Sequence, residues 1–225
     1  MAIKDWHQDE RPREKLLQKG AESLSDSEIL AIFLRTGTKD QSAIELARGL
    51  IEKFGSLAQL LSAPSEAVMA CHGIGMAKYA QILASLEMGK RYLASQVKQA
   101  PTLNASQLVK DYLTTQLRPL NREVFAVLFL TNQLTLIQYE VLFTGGISSC
   151  SVCVREVLRC ALKYGASQLI IAHNHPNTSA TASQADLEIT RSLAKACQLV
   201  DMTLIDHIIV GQDGTLSLQE TGKMP

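Results

Sequence analysis

The chain has 225 residues, 46% of them hydrophobic, which is enough for one large or two small domains with a packed core. Its 22 basic and 22 acidic side chains balance, which argues against strong non-specific binding to nucleic acid through overall charge. The polar residues 1–13 carry no apolar core of a signal peptide, and no apolar run is long enough to cross a bilayer. With five cysteines, an odd number, we expect reduced thiols and a cytoplasmic protein.

Residues 1–100 are predicted to form an all-helical module, because apolar residues recur at helical spacing and no strand-like alternation appears. Two signals are the clearest. Ser25-x-x-Glu28 is a capping box, and an amphipathic segment from Ala43 to Phe54 ends at Gly55. Further helices are predicted near residues 14–18, 56–61, 65–71 and 76–92.

The last two of these helices are joined by a segment that contains Gly73-Ile74-Gly75 and, just after it, Lys78. The glycines permit a tight turn, and the N–H groups that open the following helix can hold a phosphate, with Lys78 adding charge. The segment resembles a helix–hairpin–helix, a module that grips DNA backbones without reading sequence. We therefore predict weak contact with a DNA backbone through Gly73–Gly75. The alternative is a glycine turn between packed helices, with Ile74 in the core.

The polar segment 95–103, which includes Pro101, is predicted to separate the helical module from a second domain, residues 101–225. Beyond it the pattern becomes α/β, so we predict a mixed β-sheet flanked by helices. The predicted helices are 106–117, 154–164 and 183–197, and the predicted strands are 124–130, 134–143, 168–173, 203–210 and 216–218.

Cys150 and Cys153 form a C-x-x-C, a spacing typical of redox and zinc sites. Cys160 and Cys197 do not supply a second zinc pair at regular spacing, and no thioredoxin-like tryptophan or proline flanks the motif. We therefore interpret the cysteines as ordinary small buried or semi-buried residues.

The main chemical signal is His173-Asn174-His175-Pro176, which follows an apolar run, 169–172, typical of a buried strand. Residues two apart on a strand point the same way, so His173 and His175 can bind one ion together. Asp186 follows in a helix that begins near Ser183. Two imidazoles and a carboxylate leave the fourth position of a tetrahedral zinc open, as catalytic zinc sites do. The alternative is that Ser183 and Asp186 form only a helix capping box and that the histidines are simply hydrogen-bonded.

With Ser183 eight and Asp186 eleven residues after His175, the motif resembles that of the JAMM (MPN+) metalloproteases. The chain is most similar to the bacterial RadC family, and the resemblance covers nearly its whole length. It implies a JAMM/MPN-type mixed β-sheet domain and a zinc-dependent hydrolase that cleaves a peptide or isopeptide bond of an unknown substrate. The segments that carry it are 9–16, 73–75, 122–125, 172–176, 200–202 and 206–210.

By that resemblance His173, His175 and Asp186 would bind one Zn²⁺ per chain, and Ser183 would help to hold the oxyanion. Glu123 would be the general acid/base, because the JAMM glutamate lies on an early strand just before an apolar run.

Glu156, which also lies in an Arg-Glu-Val context, competes with Glu123 for this role; its alternative reading is a carboxylate on a helix surface. Asp206 and His207 stay outside the predicted ligand set. They could hydrogen-bond to the ligands, although a histidine at the edge of the core is the preferred interpretation of His207. The second function that the sequence leaves open is a DNA-associated repair or binding factor in which the metal site is structural.

Overall fold

The fold is that of a computed structural model, which describes residues 6–99, 106–145 and 152–225. The chain divides into two compact units, Met1–Gly89 and Lys90–Pro225. The first unit is helical, and the second contains one sheet with helices on its faces. The predicted class, an all-α part followed by a mixed sheet flanked by helices, is therefore confirmed.

The first unit consists of short helices whose ends follow from local sequence. Ser25 and Ser42 each form a complete capping box with the glutamate three residues later, and Gly55 ends the third helix with φ 91°. Apolar side chains from the helices, among them Leu34, Leu50 and Ile74, form a single core. The short helices are α1 (Pro12–Lys19), α2 (Asp26–Leu34), α3 (Ala43–Phe54), α4 (Leu57–Ser62) and α5 (Ser65–Met69). A longer helix, α6 (Met76–Gln99), begins in this unit and ends in the second.

The hairpin between α5 and α6 is packed as a structural turn. Ile74 is 4% exposed, and Gly73 has φ 84°. The Lys78 ammonium donates hydrogen bonds to the carbonyl oxygens of Thr36 (2.7 Å), Gly37 (3.3 Å) and Gly73 (3.0 Å). Its three donors thus hold the loop after α2 against the hairpin, and the predicted contact of Gly73–Gly75 with a DNA backbone stays a prediction.

Helix α6 is longer than predicted and continues to Gln99, so residues 95–99 of the segment predicted as a linker are helical. The reason is apolar spacing that the polar composition masks: Leu93, Ala94 and Val97 pack into the core of the second unit. The rest of that segment, including Pro101, falls on residues 100–105, outside the described ranges.

The second unit is built on a five-stranded sheet of order β2-β1-β3-β4-β5. β1 is antiparallel to both neighbours, β3 and β4 are parallel, and β5 is antiparallel to β4. The strands are β1 (Val124–Leu130), β2 (Leu136–Thr144), β3 (Gln168–Asn174), β4 (Thr203–Val210) and β5 (Thr215–Ser217). The helices of this unit are α7 (Ser106–Leu117), α8 (Val154–Tyr164) and α9 (Gln184–Gln198).

Both faces of the sheet are covered, which explains why every residue of β1 is buried and why its sequence lacks polar alternation. On one face Ala126, Leu128 and Ile170 share a core with side chains of α7. On the other face Val127 and Ile171 share a core with side chains of α8 and α9. Because strand residues alternate with a period of two, the side chain at position 173 points to the α8–α9 face.

In the part of the chain that the structure describes, no helix combines the length and the apolar character needed to cross a membrane. Cys160 and Cys197 are buried in the core of the second unit, and Cys153 is exposed. Cys150, the other half of the C-x-x-C, lies outside the described residues.

Candidate metal centre

The two predicted histidine ligands lie at the C-terminal end of β3. His173 is paired on one side with Phe125 of β1 and on the other with Ile209 of β4. The N–H of His175 continues the parallel ladder by donating to the Val210 carbonyl at 2.8 Å. The backbone on both sides of the motif is therefore fixed by the sheet.

The structure brings the three predicted ligand atoms together. His173 Nε2 lies 3.0 Å from His175 Nε2 and 3.3 Å from Asp186 Oδ1. All three ligand atoms lie within 4.8 Å of one another. His173 and Asp186 are 0% and 1% exposed, whereas His175 is half-buried. The site is thus closed towards the core and open towards solvent on the side of His175.

Asp186 is held in place by a helix cap, so the capping and ligand interpretations of this residue are compatible. Asp186 Oδ2 accepts hydrogen bonds from Ser183 N and Ser183 Oγ, both at 2.7 Å, and Asp186 N donates to Ser183 Oγ at 3.2 Å. The other carboxylate oxygen, Oδ1, is buried without a hydrogen-bond partner among the described residues. One oxygen caps α9, and the other faces the histidines.

A chain of hydrogen bonds fixes the tautomer of His173. The Thr190 hydroxyl donates its only hydrogen to the Asp186 carbonyl, so it must accept from His207 Nδ1, which lies 2.7 Å away. A neutral His207 then presents a bare Nε2, which accepts from His173 Nδ1 at 2.8 Å. His173 Nε2 is left with a lone pair, and it is the atom that faces Asp186 and His175.

His175 is oriented in the same sense. Its Nδ1 lies 3.3 Å from the Ser179 carbonyl oxygen, which can only accept, so Nδ1 carries the hydrogen and Nε2 a lone pair. Two imidazole lone pairs and a carboxylate oxygen therefore converge with no donor between them. A buried acceptor left in this state costs on the order of 1–3 kcal/mol, and a bound cation removes that cost.

Burial lowers the pKa of His173 to about 4, although the neighbouring Asp186 carboxylate raises it. Burial also holds the pKa of His207 well below its usual range, with His173 and His175 adding to the effect. The imidazoles of His173 and His207 are therefore neutral near pH 7, and the neutral form is the one in which a histidine such as His173 binds a metal.

The two distances measured from His173 Nε2 fit a small divalent ion. Zinc bonds of about 2.0–2.1 Å at tetrahedral angles place neighbouring ligand atoms about 3.3 Å apart. The distances from His173 Nε2, 3.0 Å to His175 and 3.3 Å to Asp186, are close to that separation. Within the described ranges no further His, Cys, Asp or Glu joins this group.

Glu123 lies directly before β1 and is half-buried. Its carbonyl accepts from Gly145 N at 2.9 Å, which continues the pairing of β1 with β2. Because Phe125 is paired with His173, continuing the antiparallel register by two residues places Glu123 opposite His175.

The side chain of Asn174 holds the backbone on both sides of Glu123. Its Oδ1 accepts from Val124 N at 2.9 Å, and its Nδ2 donates to the carbonyls of Arg122 (3.1 Å) and Leu120 (3.3 Å). Asn174 is 1% exposed, and its bond with Val124 N is fully buried. The residue between the two histidines thus fastens the segment that carries the predicted base.

Glu156, the competitor of Glu123, lies on α8, and its side chain is 39% exposed. Its carboxylate accepts from Arg159 Nε at 2.9 Å and from Arg159 Nη2 at 2.5 Å. The hydrogen bond from Arg159 lowers the pKa of Glu156. This is the surface carboxylate of the alternative reading, engaged with a neighbour on its own helix.

Sequence reasoning kept Asp206 and His207 outside the ligand set and missed Thr190. Asp206 is occupied elsewhere: its carboxylate accepts from Ser217 Oγ at 2.6 Å and Gln219 N at 2.9 Å. His207, expected at the edge of the core, is instead fully buried and bonded to His173. The position of His207 inside the apolar run of β4 was a sequence signal that it is buried. No sequence signal indicated the role of Thr190.

The RadC-like JAB domain family matches residues 103–223, and the UPF0758 N-terminal family matches residues 3–80. A UPF0758 protein of Psychrobacter sp. (strain PRwf-1) is 66% identical over 225 residues, covering 100% of both chains. A UPF0758 protein of Psychrobacter cryohalolentis is 68% identical over 225 residues, covering 100% of this chain and 99% of its own. One from Aeromonas hydrophila is 50% identical over 222 residues, with 99% of each chain covered. The chain therefore belongs to the UPF0758 family of proteins with a RadC-like JAB domain.

Proposed function

We propose that this protein is a zinc-dependent metallohydrolase of the JAMM type that cleaves a peptide or isopeptide bond. The observation that carries the proposal is the convergence of three hydrogen-free acceptor atoms, His173 Nε2, His175 Nε2 and Asp186 Oδ1, at the end of β3. When bound there, zinc supplies a Lewis acid and lowers the pKa of a coordinated water to about 7.

Three described ligands favour a hydrolytic over a structural zinc site. Structural zinc is almost always held by four protein ligands, whereas catalytic zinc keeps one position for water or substrate. Here His173, His175 and Asp186 form a group of three, and the side towards His175 is exposed. This weighs against a DNA-associated factor with a purely structural metal, as does the engagement of Lys78 with three carbonyls.

Glu123 is the residue that we assign to proton transfer. Its carboxylate would take the proton of the attacking water and later deliver it to the leaving nitrogen. The register that sets Glu123 opposite His175 supports this role, and so does the Asn174 side chain, which fixes the backbone on both sides. Glu156 is bound to Arg159 and has no such support.

Ser183 would donate its hydroxyl hydrogen to the oxyanion that develops on the substrate carbonyl. Ser183 is exposed, and its Oγ donates to Asp186 Oδ2 in this structure. Because Ser183 N also donates to Asp186 Oδ2, the hydroxyl can turn to a substrate without leaving that carboxylate oxygen unpaired.

The test combines metal analysis with a peptide-library cleavage screen. We expect about one zinc per chain in the wild type, loss of zinc and activity in His173→Ala, and retained zinc without activity in Glu123→Gln. A wild-type protein that binds no zinc, or a His173→Ala variant that cleaves as fast as wild type, would contradict the proposal. If the protein instead binds zinc, cleaves nothing and shows a salt-dependent affinity for DNA, the DNA-associated alternative gains support.

A further inference from the structure

The helical unit contains a cavity with a volume of about 320 Å³ where the first turn of α1, the end of α2 and the beginning of α3 meet. Its charged lining consists of Arg11, Arg13 and Arg35 with a single acid, Glu14. Its apolar lining is formed by Pro12, Ala31, Ile32 and Ala43. A volume at the lower end of the range of small-molecule sites, with apolar walls and several cations, suits a compact anionic ligand.

The three arginines are not equally engaged. Arg11 donates from Nε to the Trp6 carbonyl at 3.1 Å and lies 3.8 Å from the Glu14 carboxylate. Arg13 and Arg35 are exposed, and neither guanidinium has a hydrogen bond or ion pair within the described residues. The one acid of the cavity thus partners Arg11, and two guanidinium groups are left to contact a ligand.

The backbone at Arg35 is strained. Arg35 has φ 62° and ψ −46°, and Thr36 N donates to the Leu34 carbonyl across it at 2.6 Å, which makes Arg35 the centre of a γ-turn. This turn is rare and strained, and a glycine would adopt it without the steric cost. Strained positions of this kind cluster at ligand sites, where the side chain has a use that offsets the strain.

The N-terminus of α1 adds to the positive potential. Its N-cap residue, Arg11, makes no side-chain cap hydrogen bond, and the one acid of its first turn, Glu14, lies 3.8 Å from the Arg11 guanidinium. The partial positive charge at the start of a helix favours an anion. Together with the unpaired guanidinium groups of Arg13 and Arg35, it adds positive charge to the lining of the cavity.

We propose that this cavity binds a terminal phosphate monoester of nucleotide size through Arg13 and Arg35. Guanidinium groups bind phosphate bidentately, and a phosphate monoester carries a charge of about −1.5 to −2, which two arginines can match. A ligand with a single carboxylate carries too little negative charge to balance both arginines. The apolar walls at Pro12, Ala31 and Ile32 receive the remainder of the ligand. A free nucleotide and the phosphorylated end of a nucleic-acid strand share this chemistry.

The experiment is a titration of the full-length protein with deoxyadenosine 5′-monophosphate, with deoxyadenosine as the phosphate-free control. We expect saturable binding of the nucleotide alone. Arg13→Gln and Arg35→Gln should each weaken it about tenfold or more, as expected for the loss of a charged hydrogen bond. The matched control is Arg48→Gln on α3, an exposed arginine outside the cavity lining, which should bind like wild type.

Arg35→Gly separates the ligand role from the fold. This variant relieves the γ-turn, so it should unfold at a higher urea concentration than wild type while it binds the nucleotide more weakly. Equal binding by Arg13→Gln, Arg35→Gln and Arg48→Gln would overturn the proposal.

The source of the phosphate is resolved by two short oligodeoxynucleotides of the same sequence, one with a 5′-phosphate and one with a 5′-hydroxyl. Tighter binding of the phosphorylated strand than of the free nucleotide assigns the site to strand ends, and the reverse order assigns it to free nucleotides. If the free nucleotide does not bind and both strands bind alike, the cavity is not a monoester site.

Discussion

His173 Nδ1 and His207 Nε2 lie 2.8 Å apart in the core between β3 and β4, and neither side chain is exposed to solvent. The hydrogen bond fixes which nitrogen of His173 carries the hydrogen. The Thr190 hydroxyl accepts from His207 Nδ1 and so fixes the tautomer of His207. The tautomer of His207 in turn fixes that of His173. The nitrogen of His173 that faces Asp186 and His175 is thus specified by residues outside the predicted ligand set.

Removing the Thr190 hydroxyl should weaken metal binding. In Thr190→Val, His207 Nδ1 loses its acceptor, so His207 can take the other tautomer and donate to His173 Nδ1. This places the hydrogen on His173 Nε2, where it blocks coordination. We expect zinc affinity to fall about 10- to 100-fold in a chelator competition, with Thr190→Ser near wild type. ¹⁵N NMR of metal-free protein should show the changed tautomer.

Thr115→Val is the matched control for this substitution. The Thr115 hydroxyl also donates to a carbonyl of its own helix, that of Tyr112 at 2.7 Å, and lies on α7. This variant should keep wild-type zinc affinity. Unchanged affinity and unchanged imidazole tautomers in Thr190→Val would show that the hydroxyl does not set the orientation of the ligand.

Elements with strong local signals could be predicted from sequence. The bounds of α3 were predicted from the apolar spacing of residues 43–54 and from Gly55, and the apolar run of β1 was recognised from Val124 to Leu130. The proximity of His173 and His175 also follows from local geometry, since a strand repeats every two residues.

The environment of His173 could not be predicted in this way, because it depends on pairing between distant segments. His207 reaches His173 only because β3 and β4 are parallel with Ile171 opposite His207. No local pattern specifies that register, nor the position of Thr190 on the facing helix. The end of α6 was also missed, because polar residues around Val97 mask the helical spacing of the apolar side chains that pack in the second unit.

The Asn174 side chain should contribute to the free energy of unfolding through its hydrogen bonds and not only through packing. Its amide makes three hydrogen bonds to the backbone at Leu120, Arg122 and Val124, and the bond from Val124 is fully buried. Asn174→Ala leaves these groups unpaired, so we expect a loss of about 1–3 kcal/mol in the free energy of urea unfolding. Asn132→Ala, at an exposed turn residue, should change it little. A similar small change in both variants would refute a positioning role for Asn174.

The two candidate bases are distinguished by a pair of isosteric substitutions. Glu123→Gln should reduce hydrolysis about 100- to 10,000-fold, because it removes the proton acceptor, while the zinc content stays at the wild-type level. Glu156→Gln breaks only an exposed contact with Arg159 and should leave the rate unchanged. Rates are measured on a peptide from the cleavage screen. The opposite ranking of the two variants would transfer the base to Glu156.

Asp186→Asn should separate the helix cap from the metal ligand. The asparagine oxygen can still accept from Ser183, while its amide group takes the position of Oδ1, 3.3 Å from His173 Nε2, and donates to it. The metal-free variant should therefore be about 0.5–1.5 kcal/mol more stable than wild type, because an unpaired acceptor gains a partner. Zinc at about 100 times its dissociation constant should stabilise wild type by about 2.7 kcal/mol and this variant not at all.

The control for Asp186→Asn is Asp206→Asn, which removes the charge of another buried carboxylate in the same unit. Asp206 accepts from Ser217 and Gln219 and lies outside the ligand group, so this variant should keep the full zinc-dependent stabilisation. Thermal or urea unfolding with zinc and with a chelator measures all three proteins. Equal stabilisation of Asp186→Asn and wild type by zinc would mean that Oδ1, despite its orphaned position, is not a ligand.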